Sequence, residues 1–183
     1  MRCIFLDRDG TIVRERNFMR YPWEVEPVPG AVEAVRRMKE LGYLLIVISN
    51  QSGVGRGIIT MEDVLAVEQR IREIFSGMID RFYYCPSRPE ENAWCRKPNP
   101  GMVEDAMREF DIDIKESWVV GDRCSDVELA ERVGARGVLV LTGYGQRFVN
   151  RCSPFLIASD LLAFARYLER SVDMPLQSGI QTQ

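Results

Sequence analysis

The chain has no histidine. That removes the Ser-His-Asp and Cys-His nucleophile systems, imidazole general bases and every zinc site that needs an imidazole. Acid–base or metal chemistry therefore has to run on carboxylates, lysine or thiols. No apolar run is long enough to span a bilayer, and the N-terminus lacks a signal-peptide pattern, since chemistry-bearing residues begin at Asp7. The net charge is −3 with no basic block, so neither a nucleic-acid surface nor an anionic-membrane surface is expected. Five cysteines, odd in number and irregularly spaced, do not make a secreted disulfide framework. The expectation is a cytoplasmic protein.

What is present is ordinary in bulk and patterned in detail. With 183 residues, 46% hydrophobic and 28% charged, the chain suits one domain with a full core. Strand-like runs (2–6, 43–48, 82–85, 118–120, 137–141, 155–157) alternate with amphipathic helical stretches (31–41, 60–75, 100–110, 126–133, 160–169). Gly42 and Gly134 stand just past helix ends, and Thr60 with Asp63 reads as a weak capping box. This alternation predicts an α/β fold with a doubly wound parallel sheet. One domain is expected over 1–171, with a disordered tail over 172–183. Neither 14–29 nor the stretch between the second and third strands holds enough residues for a cap domain, so an open site is expected.

In such folds ligands bind at the carboxyl ends of the strands, and the polar clusters of this chain fall there. Asp7-Arg8-Asp9 follows the first strand, Ser49-Asn50-Gln51-Ser52-Gly53 the second and Gly121-Asp122 the fourth, while Arg96-Lys97 precedes a helix. Gathered on one edge, Asp7, Asp9 and Asp122 would repel one another unless a hard cation such as Mg²⁺ sat among them. The SNQSG segment offers hydroxyls, amides and backbone N–H groups to a phosphate, and Lys97 adds a positive charge. These parts together suggest phosphoryl transfer, and without histidine the nucleophile should be an aspartate.

The strings FLDRDGTI, ISNQSGVGRG, YYCP, CRKPNPGM and VVGDRCSD resemble, in order, the four motifs of the haloacid dehalogenase (HAD) superfamily. The branch resembled holds the D-glycero-D-manno-heptose 1,7-bisphosphate and histidinol-phosphate phosphatases, and the likeness covers residues 3 to about 145. The resemblance implies that Asp7 is the nucleophile and a Mg²⁺ ligand. Asp9 would be the general acid and then base, ligating metal through its backbone carbonyl. Ser49 and Lys97 would stabilise the phosphoryl oxygens, Asp122 would complete the metal site, and Asp126 would support it or simply cap a helix. Arg96 would recognise substrate, and the segments from Glu15 to Phe18 and over Asn50, Gln51 and Ser52 would line its pocket.

One segment departs from that branch. Its relatives carry a zinc loop of the form C-x-H…C-x-C, whereas this chain reads CPSRPEENAWC, with Ser87 for the histidine and Ala93 for a cysteine. Two thiolates cannot close a tetrahedral site, so no zinc is expected. Cys85 and Cys95 are read as remnant thiols, with a disulfide disfavoured in the cytosol, and Cys3, Cys124 and Cys152 as bystanders. Arg8 is expected at the solvent or the pocket rim, and Trp23 and Trp118 in packing. The expected activity is Mg²⁺-dependent hydrolysis of a small-molecule phosphate ester through an aspartyl-phosphate, with a sugar phosphate such as a heptose bisphosphate as substrate. The alternatives are histidinol phosphate as substrate, transfer to an acceptor other than water, or a catalytically silent phosphate-binding module.

Overall fold

The computed structural model describes residues 1–173. Six strands, β1 (Cys3–Leu6), β2 (Leu44–Asn50), β3 (Arg81–Cys85), β4 (Trp118–Gly121), β5 (Arg136–Val140) and β6 (Leu156–Ala158), form one sheet in the order β3-β2-β1-β4-β5-β6. Every pairing is parallel. The helices are α1 (Ala31–Glu40), α2 (Ser52–Gly55), α3 (Met61–Ile74), α4 (Gly101–Glu109), α5 (Cys124–Val133) and α6 (Leu161–Asp173).

The four central strands β1, β2, β4 and β5 are buried on both faces, which is why they read as continuous apolar runs rather than alternating ones, while the edge strands β3 and β6 are only partly buried. Ile4 and Leu6 of β1 pack with α1, α3 and α6 on one side. Cys3 and Phe5 pack with α4 and α5 on the other. Thr60 and Asp63 form the expected capping box at α3, each accepting the other's backbone N–H. Asp160 caps α6 by accepting from Ala163 N.

The order of strands reverses between β1 and β4, so the loops after these two strands splay apart and leave a crevice. Asp7 N donates to the Val120 carbonyl across this point at 2.9 Å, fixing the ends of β1 and β4 side by side. Among the described residues no cap domain stands over the crevice. Residues 14–29 make only a small excursion, closed by Arg14 N to the Glu26 carbonyl at 2.8 Å and holding one 3₁₀ turn, Pro22–Glu24.

Several expectations need correction. Arg8 is not at the rim but almost wholly buried, with 1% exposure. Trp118 packs against Phe164, but Trp23 is exposed and stacks on Tyr21. Helix α6 continues through Asp173, so the first two residues of the tail expected from Val172 are helical; the rest of that expectation lies outside the described residues. The cysteines pair: Cys85 bonds to Cys95 and Cys124 to Cys152, leaving Cys3 free and buried. The thiol reading rested on the reducing cytosol alone, whereas the folded backbone brings Cα atoms of each pair to 5.3 and 5.6 Å, within disulfide reach. Among the described residues no helix is long and apolar enough to cross a membrane.

Candidate active site

The carboxyl ends of β1, β2 and β4 and the segment before α4 converge on a cavity of about 290 Å³. Asp7, Asp9, Ser49 and Lys97 line it together with Glu15, Phe18, Asn50, Gln51, Ser52 and Arg96, so ten residues singled out in the sequence share one space. Asp122 sits beneath, fully buried.

Lys97 is the hub. Its ammonium is buried and donates to Asp7 Oδ1 at 2.7 Å, Asp126 Oδ1 at 2.7 Å and the Ile48 carbonyl at 3.0 Å, using all three protons. Burial opposes its charge, but Asp126 and Asp7 more than offset this and hold the ammonium above its usual range. Asn50 fixes the backbone of Lys97, accepting from its N–H at 3.0 Å and donating to its carbonyl at 3.2 Å. The Cys85–Cys95 bond ties the preceding loop to the end of β3. Asp126 does both things the sequence left open: Oδ1 meets Lys97, and Oδ2 accepts Arg123 N at 3.2 Å at the start of α5.

Asp7, Asp122 and Asp126 each offer a carboxylate oxygen, and these oxygens lie within 4.8 Å of one another. Asp122 Oδ2 accepts from Tyr144 N at 2.8 Å, while Oδ1 is buried with no hydrogen-bond partner. Backbone closes around this carboxylate at Gly10 (φ 88°) and Gly143 (φ 54°), where a Cβ on either would fall 2.2 Å from Oδ2. A buried carboxylate oxygen without a donor, beside a second carboxylate, is a hard-oxygen donor set that fits Mg²⁺. Asp7 and Asp122 would hold the ion with the backbone carbonyl of Asp9. The side chain of Asp9 turns elsewhere, to Arg8 and Gln51.

Without a cation the crowd is partly neutralised by protons. Burial pushes Asp7 up to about 7, with Lys97 pulling it down and Asp126 and Asp9 pushing it further up. Burial and then Asp7 push Asp122 up to about 8. Both groups thus hold protons more tightly folded than unfolded. The metal-free protein should lose stability as pH rises from the ordinary value of 3.8 through 7–8. A divalent ion must displace those protons. We expect the Mg²⁺ dissociation constant, measured by calorimetry, to fall at least several-fold between pH 6 and pH 8.5, with proton release; equal affinity at both values would refute the crowding.

Two residues of the site escaped the sequence reading. Arg123 and Ser125 line the cavity from the β4–α5 loop, inside the GDRCSD string whose aspartates alone drew notice. Asn17, inside the 15–18 segment expected to line the pocket, does so from the excursion, and Asn17 and Phe18 both hold left-handed backbone, φ 44° and 54°. Two adjacent non-glycine residues there are uncommon and mark a wall shaped for something.

A HAD-hydrolase-like family model matches residues 94–163. A D-glycero-beta-D-manno-heptose-1,7-bisphosphate 7-phosphatase of Pseudomonas putida is 37% identical over 92% of this chain and 99% of its own length. The chain belongs to this family of HAD phosphatases. The enzyme of the same name from Neisseria meningitidis serogroup B is 33% identical over 96% of this chain and 98% of its own. In three dimensions the chain resembles the D,D-heptose 1,7-bisphosphate phosphatase of B. bronchiseptica, solved with magnesium and phosphate. The TM-score is 0.87 at 30% identity, covering 93% of this chain and 99% of that one.

Proposed function

We propose that this phosphatase removes one phosphate from a sugar bisphosphate, a heptose 1,7-bisphosphate being the best match, with Mg²⁺ as cofactor. The observation that carries the bisphosphate reading is a pair of arginines in the cavity wall. Arg96 and Arg123 line it. Arg96 donates to the Ser87 carbonyl at 3.3 Å and forms no ion pair among the described residues. Burial lowers its pKa, and the nearby Arg56 and Arg123 lower it further. Arg123 has only loose carboxylate neighbours, Glu15 at 3.8 Å and Asp122 at 3.9 Å. Like charges gathered in a cavity favour a second anionic group on the substrate, bound away from the reacting phosphate. The names of the relatives point the same way. Histidinol phosphate has no second anion and carries an amine that these arginines would repel.

The residues divide the work as follows. Asp7 attacks phosphorus, forming an acyl phosphate as the ester oxygen leaves with a proton from Asp9. Asp9 then takes a proton from water, whose oxygen attacks phosphorus and frees Asp7. Lys97, held by Asp7 and Asp126, and the Ser49 hydroxyl, which accepts from Gln51 at 2.8 Å, stabilise the phosphoryl oxygens. Magnesium, when bound, neutralises charge on the nucleophile and the transferred group. An open site suits hydrolysis of an extended ester and leaves selectivity to the wall residues.

A screen of phosphate esters with free phosphate as readout tests the reading. The bisphosphate should exceed its monophosphate counterpart in kcat/KM by at least tenfold, and Arg96→Ala should erase most of that margin. Equal rates on both esters would remove the second-anion argument. No turnover of p-nitrophenyl phosphate with Mg²⁺ would favour a silent module instead.

A further inference from the structure

Arg8 lies between the two aspartates of the first motif, yet its side chain does not reach the cavity. It is 1% exposed. Its guanidinium grips the Asp9 carboxylate from behind: Nε donates to Oδ1 at 3.1 Å and Oδ2 at 3.0 Å, and Nη2 lies 2.8 Å from Oδ2. Gln51 Nε2 donates to the same Oδ2 at 2.9 Å. Oδ2 is thus loaded by three N–H groups, whereas Oδ1 receives only the longest contact. Asp9 keeps one side open to the cavity, its side chain 17% exposed.

A structural ion pair explains this poorly. Burying a guanidinium costs several kcal/mol unless its protons are satisfied, and Arg8 Nη1 is buried with no partner. The backbone turn does not need the side chain either, because the Arg8 carbonyl itself accepts from Thr11, Ile12 and Val13. Every hydrogen bond of the Arg8 side chain among the described residues ends on one carboxylate. A planar fork matched to a carboxylate fixes its rotation, which a flexible lysine or an apolar residue cannot do.

We infer that Arg8 is a positioning residue for proton transfer. With Gln51 it locks the Asp9 carboxyl in one rotation, Oδ2 turned to the protein and Oδ1 presented to the cavity. In the first step Oδ1 delivers a proton to the ester oxygen as the phosphorus–oxygen bond breaks. In the second it accepts a proton from the water that attacks the phosphoenzyme. Arg8 touches neither substrate nor metal and acts only through Asp9. The inference rests on the reading of Asp9 as the acid and base.

The test reads how the phosphorylation step depends on the leaving group. A 2,4-dinitrophenolate leaves without help, whereas a sugar or alkyl oxygen needs a proton. In Asp9→Asn, kcat/KM for a sugar phosphate should fall at least a hundredfold, while kcat/KM for 2,4-dinitrophenyl phosphate changes less than about fivefold. Arg8→Met should show the same selective pattern with a sugar-phosphate loss of about 10- to 100-fold, a part of the roughly 100- to 10,000-fold that a positioned general acid contributes. In the Asp9→Asn background Arg8→Met should add nothing, since it has no carboxyl left to orient. Arg8→Lys, which keeps the buried charge without the fork, should still show a selective loss and serves if the methionine variant does not fold. Equal losses on both esters, or an undiminished effect of Arg8→Met in the double variant, would make Arg8 merely structural and overturn the inference. If Asp9→Asn itself shows no leaving-group selectivity, the reading of Asp9 fails and the inference falls with it. If Asp9→Asn shows it and neither Arg8 variant does, only the inference fails.

Discussion

Asp7→Asn is expected to fold normally and to turn over at least about 10⁴-fold more slowly, the scale seen when a nucleophile is removed. An amide cannot displace an alkoxide from phosphorus, and none of the neighbours can substitute: Asp122 and Asp126 lie behind it, engaged with Tyr144 N, Lys97 and Arg123 N. The fold should tolerate the change, because the substitution removes one charge from a cluster in which burial already pushes Asp7 up to about 7. Lys97 keeps Asp126 and the Ile48 carbonyl as partners. The check is single-turnover kinetics together with thermal unfolding. Near-normal turnover with an unchanged melting temperature would remove Asp7 from the chemistry. Trapping labelled phosphate on the wild-type protein, and not on the variant, would tie the loss to the acyl phosphate.

Lys97→Ala should damage both catalysis and the fold, and the two effects separate by pH. Losing one electrostatic donor to the phosphoryl group costs about 2–4 kcal/mol in transition-state stabilisation, or roughly 30- to 1,000-fold in rate. Removing one partner from a buried ion pair costs about 3–5 kcal/mol of stability, because the partner charge is left uncompensated. Here two carboxylates would be stranded, on Asp7 and Asp126, both buried. Asp7, which burial already pushes up to about 7, can escape by taking a proton, so the stability deficit should shrink as pH falls from 8 to 5, while the catalytic deficit should persist at every pH. Mg²⁺ should also restore part of the stability and little of the rate. A variant within threefold of wild-type activity would exclude Lys97 from the site.

The scaffold was legible because its signals are local. Fully apolar strands, Thr60 with Asp63, and the glycines past α1 and α5 each declare an element within a few residues. The grouping of Asp7, Ser49, Lys97 and Asp122 followed from topology alone, since parallel strands put every such loop on one edge. What stayed hidden depends on partners distant in sequence. Helix α2 reads as a glycine-rich loop and is held by Gly55 N donating to the Pro86 carbonyl. Helix α5 begins two residues before Asp126 because that carboxylate caps from the first turn, reaching back to Arg123 N, rather than from the position preceding the helix. A charged residue between two aspartates is expected outside; Arg8 is inside because Asp9 supplies a carboxylate that only a folded turn can present to it. The half-cystines are separated by 10 and 28 residues, and nothing in their spacing selects a partner.

The Cys85–Cys95 bond replaces one kind of fastening by another, and the two fail under opposite treatments. A loop clasped by an ion held on thiolates comes undone in acid or in a chelator. A loop clasped by sulfur to sulfur ignores both and opens only to a reductant, which hands it two electrons and two protons. A chelator added to this chain should therefore act at the carboxylate cluster alone, and magnesium should reverse it fully. The covalent clasp lies next in sequence to Arg96 and Lys97, so a dithiol should slacken the grip on substrate while leaving the metal ligands where they are.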